Sequence, residues 1–127
     1  MTTQEIGNRL VELCRTGDFM TALTELYADD ASQIEPMAMG PNGRETKGKD
    51  ALIKMHEEFG KSTEVHGVEV SDAWPHEDKF ICTMKMDNTP SEGPMAGKRH
   101  TVEEACLYTV ADGKITKVEF FYAIPGA

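Results

Sequence analysis

The spacing of apolar residues changes once along this chain, and that change limits the fold more than any other feature. Up to about residue 60 the spacing is helical. Ile6, Leu10, Leu13 and Cys14 stand at i, i+4, i+7 and i+8, one face of a helix over residues 3–16. Gly17 stops it, and Asp18 is placed to cap a second helix holding Phe19, Met20, Leu23, Leu26 and Tyr27. Ala31–Pro36 is too short for a helix before a proline and reads as a strand. Gly, Pro and Asn crowd residues 36–48, which predicts a loop. A third helix follows from Lys49 to Phe59, with Leu52, Met55, His56 and Phe59 on one stripe.

After Gly60 the period is two. His66, Val68 and Val70 alternate with polar residues, then Phe80, Cys82, Met84 and Met86, then His100 through Val110. A tight turn at Ala111–Lys114 leads into a last strand, Ile115–Tyr122. Helices first and an antiparallel meander after them predict an α+β fold, with the helices on one face of a curved sheet. Such a sheet wraps a pocket where the helices leave part of its concave face uncovered. Ala105, Leu107, Ile115 and Phe121 have the opposite parity to the inward residues. A sheet apolar on both faces needs a second partner, and a homodimer through the convex face is expected.

Composition narrows the function classes. At 127 residues and 39% hydrophobic, residues 1–127 are expected to fill one core as a single domain. A net charge of −9 argues against nucleic acid and anionic membrane surfaces, which are gripped by cationic side chains. No stretch approaches the roughly 20 apolar residues of a membrane span, and no basic-then-apolar leader opens the chain. Three cysteines without a paired spacing fit reduced thiols, hence a cytoplasmic location.

Four segments carry a family resemblance. Leu26-Tyr27-Ala28-Asp29-Asp30-Ala31, Glu35-Pro36, Gly48-Lys49-Asp50-Ala51-Leu52 and Asp112-Gly113-Lys114-Ile115 resemble the nuclear-transport-factor-2-like superfamily. Within it the likeness is to SnoaL-like proteins and the ketosteroid-isomerase group. The resemblance implies a cone-shaped α+β barrel, with three N-terminal helices packed on a curved, mostly antiparallel sheet around a pocket. It places Glu35 where the steroid isomerases keep their proton-shuttling aspartate. His56 falls where they keep a pocket tyrosine, and Cys106 falls near their protonated oxyanion aspartate. Leu10 stands where their oxyanion tyrosine sits. Both oxyanion donors are therefore replaced and the loop after Glu35 is longer, so steroid isomerase activity itself is not implied. The superfamily hosts many chemistries, and fold alone names none of them.

The residues that carry chemistry are few. Glu35, at a strand end facing apolar surroundings, is a candidate general base for removing a proton beside a carbonyl. His56 lies on the apolar stripe of its helix, as an acid, base or carbonyl polariser. Glu104 shares inward parity with Val102, Cys106 and Tyr108, and a carboxylate there needs a partner or a ligand. Tyr27, His66, Met84, His100, Cys106, Val118 and Tyr122 are expected to line the same pocket. Three histidines and two carboxylates would suit a metal, yet none has a ligand motif, so neither metal nor other cofactor is expected. Cys106 has no thiolate-stabilising neighbour in sequence, which leaves nucleophilic catalysis unsupported.

The expectation is a cofactor-free isomerase or cyclase for a small hydrophobic carbonyl compound, with Glu35, His56 and Glu104 as its catalytic set. The alternative is a domain that binds such a molecule without changing it. The absence of both oxyanion donors favours that alternative, because stabilising a developing enolate is a large catalytic contribution.

Overall fold

A computed structural model describes residues 1–38 and 43–123. Helix α1 (Thr3–Arg15) opens on a reciprocal cap: Glu5 N–H donates to Thr2 Oγ1, and Thr2 N–H donates to Glu5 Oε1. Gly17 turns the chain at φ +79°, and Asp18 Oδ1 accepts from Thr21 N–H to start α2 (Phe19–Leu26). Strand β1 (Tyr27–Ile34) follows directly, so Tyr27 belongs to the strand and not to the helix assigned from its spacing. Its backbone is already extended, at φ −88° and ψ 144°.

The segment expected to be a loop contains a short strand, β2 (Glu45–Lys47), antiparallel to β1; residues 39–42 of it lie outside the described residues. Helix α3 (Lys49–Ser62) runs past Gly60 and exposes Phe59, leaving Leu52 as its one fully buried residue. The remaining strands are β3 (Thr63–Val70), β4 (Trp74–His76), β5 (Lys79–Pro90), β6 (His100–Ala111) and β7 (Lys114–Phe121). The sheet order is β2-β1-β7-β6-β5-β3, with β4 on β5. All pairings are antiparallel except β1 with β7. The result is an α+β fold of three helices and a mostly antiparallel sheet, with β1 and β2 preceding α3 in the chain.

The core lies between the helices and one face of this sheet. Ile6, Leu10 and Leu23 meet Phe80, Cys82, Tyr108 and Val118 there, all almost wholly buried. The approach is close at Gly7, where a Cβ would stand 2.9 Å from Ala73 Cβ and 3.3 Å from Phe80. Two bulges overturn the simple alternation. The register of β3 on β5 shifts between Val65 and Gly67, and His66, at the shift, is exposed. The register of β6 on β7 shifts between Thr109 and Val110, which puts Ile115 on the buried face with Val118. Of the four apolar residues expected on the outer face, Ile115 is therefore core. Phe121 is 55% exposed, and Ala105 and Leu107 are half-buried.

Candidate functional site

The end of β1 builds the site. Glu35 N–H donates to Arg44 O at 2.9 Å, and Arg44 Nε donates to Glu35 O at 2.8 Å, so the backbone is held on both sides. The Glu35 side chain is 8% exposed. Its Oε2 accepts from the Tyr122 hydroxyl at 2.7 Å, and its Oε1 accepts from Gln33 Nε2 at 2.8 Å. Burial and the Glu35 carboxylate raise the Tyr122 hydroxyl pKa, so the phenol stays a donor. Tyr122 lies just past the Ala105–Phe121 pair of the sheet, on the same side as Glu104.

Glu104 is half-buried and opposite buried Met84 on β5. Desolvation, with a contribution from the nearby Glu35 charge, raises its pKa from the ordinary 4.5 to about 7. The two carboxyls have different surroundings: Glu35 accepts from two donors, and Glu104 is desolvated and binds its proton more tightly than an ordinary carboxyl.

His56 approaches from α3, half-buried, with Nδ1 3.2 Å from Leu52 O. A carbonyl can only accept, so Nδ1 carries the hydrogen and Nε2 presents a lone pair. Desolvation lowers its pKa, partly offset by the Leu52 bond and the Glu35 charge. The lowered pKa favours the neutral ring, and no hydrogen bond reaches its acceptor nitrogen from the described residues.

Glu35 and Tyr122 are thus in contact, and the Glu35 charge acts on both Glu104 and His56. The other residues expected at the pocket divide into core and rim. Tyr27 and Val118 are core. Cys106 is wholly buried against Cys82, with its thiol pKa raised by that contact and by burial. It lies in the core, two residues along the strand from half-buried Glu104. Cys14 is also buried, its thiol pushed up to about 12, so neither thiol is a nucleophile. His66 is not at the site: the bulge leaves it exposed, with Nε2 2.7 Å from Thr89 Oγ1. His100 is half-buried near the other end of β6, with Nδ1 3.0 Å from Lys98 O. No group of three His, Cys, Asp or Glu that could hold a metal occurs among the described residues.

Gln33 escaped the sequence reading. Its position two residues before Glu35 on a strand was the available signal, because that spacing puts both on one face. A groove of about 490 Å³ on the sheet shares one residue with this site and is lined by Glu69, Thr83, Lys85, Glu103 and Phe121 among others. Glu104 and Met84 also belong to its lining, but Glu35, His56 and Tyr122 do not. No helix among the described residues is long and apolar enough to cross a membrane.

Comparison with known proteins agrees with this architecture. The SnoaL-like domain model matches residues 1–122, and the chain belongs to that family. A candidate SnoaL-like polyketide cyclase [carbohydrate phosphatase] from Mesorhizobium loti is 37% identical. It aligns over 96% of this chain and 100% of its own, with a TM-score of 0.87. At lower identity the fold alone is shared. A candidate polyketide cyclase from Pseudomonas putida is 17% identical over 98% of this chain and 93% of its own, with a TM-score of 0.73. A nuclear-transport-factor-2-like protein from Burkholderia thailandensis is 18% identical over 97% and 92%, with a TM-score of 0.77. No curated protein matches the chain.

Proposed function

We propose that this chain is a cofactor-free acid–base enzyme of the isomerase or cyclase type. Its substrate is a small hydrophobic carbonyl compound held in a cone-shaped pocket between α3 and the helix-covered face of the sheet. The observation that supports this most is the pair of unlike carboxyls: Glu35, buried and bonded by Tyr122 and Gln33, beside Glu104 with its raised pKa. Glu35 takes a proton from the carbon next to the carbonyl, and the C–H electron pair becomes the carbon–carbon double bond of an enol. Glu104 gives its proton, or a strong hydrogen bond, to the carbonyl oxygen, replacing the oxyanion donors that the steroid isomerases have and this chain lacks. Neutral His56 accepts from the substrate through Nε2. Returning the proton to a different carbon isomerises the substrate, and attack of the enol carbon on a second carbonyl cyclises it. The candidate cyclase from Mesorhizobium loti is consistent with either outcome.

Proton–deuterium exchange into a panel of enolisable ketones tests this. The expected result is exchange that falls about 10²- to 10⁴-fold in Glu35→Gln. It should also decline as pH rises through about 7, where Glu104 loses its proton. Exchange no faster than in Glu35→Gln on every compound would overturn the proposal.

One observation favours the non-catalytic alternative: both Glu35 oxygens already accept a bond within the protein. A ligand that co-purifies unchanged, and whose binding ignores Glu35→Gln, would select that reading.

The working assembly we propose is a cytoplasmic homodimer through the outer face. Phe121 and Ile81 are exposed there, and Lys85 pairs with Glu103 at 3.3 Å, offering charges of both signs to a second copy. A monomer at micromolar concentration in analytical ultracentrifugation would remove the dimer.

A further inference from the structure

Gln33 has a second polar atom whose role the acid–base pair does not explain. The residue is 4% exposed and lies on the buried face, opposite Val118. Its Nε2 donates to Glu35 Oε1, which fixes which end of the amide is which: the reverse orientation would set two acceptor oxygens 2.8 Å apart. Oε1 is then buried and accepts no hydrogen bond from the described residues. Native proteins rarely leave such an acceptor unmet, because its lost hydration is not returned.

A second atom of the same kind lies further along this face. Asn88 is 6% exposed, follows Phe80, Cys82, Met84 and Met86 in parity, and its Oδ1 is also buried without a partner among the described residues. It stands four residues along β5 from Met84, the residue opposite Glu104, a separation of about 13 Å at strand spacing. The described core is otherwise well provided with partners; the two unmet atoms are both acceptors, and both are on the face that carries Glu35 and Glu104.

We infer that Gln33 Oε1 accepts a hydroxyl of the substrate, which makes the substrate class a hydroxylated carbonyl compound and not a plain ketone. The inference rests on the acid–base reading of Glu35 for its carbonyl, and on Gln33 alone for its hydroxyl. The two are joined by one side chain: the amide that holds Glu35 through nitrogen reads the substrate through oxygen. A hydroxyl bound there lies close to the carboxylate that removes the proton, so the hydroxyl-bearing carbon and the enolising carbon are near neighbours in the substrate. Asn88 Oδ1 provides for a second donor at the far end of an elongated molecule.

The test uses a matched pair of probes, 4-hydroxy-4-phenylbutan-2-one and 4-phenylbutan-2-one, which differ only by the hydroxyl. Binding to the full chain is measured by NMR titration or calorimetry. The expected result is about tenfold tighter binding of the hydroxyketone, since the plain ketone leaves the acceptor buried and unmet. The preference, read as the ratio of the two affinities, should vanish in Gln33→Leu. The wild-type comparison stands by itself if that variant does not fold. Equal affinities, as expected if solvent alone meets Oε1, or failure of the hydroxyketone to bind, would overturn the inference. Glu35-dependent deuterium exchange is scored separately on both probes. Exchange without a hydroxyl preference removes the inference and leaves the enzyme; a hydroxyl preference without exchange retains the acceptor and removes the enzyme.

Discussion

Glu103 and Glu104 are chemically identical neighbours on β6, and the sheet separates them completely. Glu103 is exposed on the outer face, where Lys85 Nζ lies 3.3 Å away. Glu104 is half-buried opposite Met84, within reach of the Glu35 charge, and its pKa is raised to about 7. Side chains alternate across a strand, so one step along the backbone exchanges water and a cation for desolvation and a second carboxyl. The outer face solves its charges by exposure and pairing. The inner face holds few charges and makes each of them unusual.

The largest effect that should separate the two faces is steric. Phe80 is 1% exposed and stacks on Tyr108 with ring centroids 4.7 Å apart. Phe80→Ala should cost about 3–5 kcal/mol in urea denaturation. Phe121→Ala, on the outer face, should cost less than about 1 kcal/mol in the monomer. Similar costs for the two would break the division.

The next effect is electrostatic and carries a sign. The folded-state pKa of Glu104 lies above its ordinary 4.5, so the fold binds the proton more tightly than the unfolded chain does. Its contribution is fully present below about pH 4.5 and is lost as pH rises through about 7. Glu104→Gln removes that loss. It should therefore raise stability at pH 8 by on the order of 2 kcal/mol and change little at pH 4. Glu103→Gln should stay within about 0.5 kcal/mol at both. His56 sharpens the contrast because its shift is opposite. Its lowered pKa contributes stability above about pH 6.5 that disappears on acidification. Melting curves of Glu104→Gln and wild type from pH 4 to 8 check the sign; parallel curves would refute it.

The smallest effect belongs to the outer ion pair. Lys85→Ala should lower stability by less than about 0.5 kcal/mol, and that loss should shrink further in high salt, since both partners face solvent.

Much of this was legible in the sequence because it is local. The helix of residues 3–16 and the Asp18 cap need only spacing and one polar side chain, and both occur as read. The long strands β5 and β6 announce themselves by twelve-residue alternation. Glu35 and Tyr122 could be named as site candidates, and they are in contact at 2.7 Å across 87 positions of chain. Other points were hidden. Alternation placed His66 inward and Ile115 outward, and a bulge reversed each, because one extra residue flips every side chain beyond it. Cys106 was expected at the pocket and lies in the core against Cys82. β2 was lost among turn residues, since three residues carry too little pattern to be seen.

The sequence by itself determined the class of fold, the order of its longer elements and the family, because periodicity and short motifs survive without any contact between distant residues. It also singled out Glu35 and Glu104 as acids where an apolar wall should be. Tertiary structure alone decided which polar groups meet. The parallel pairing of β1 with β7 brings Tyr122 to Glu35, and the fold buries a Gln33 oxygen that no described residue meets and brings the charge of Glu35 to bear on Glu104. Those facts depend on register and on desolvation by residues far apart in the chain, which no local pattern encodes.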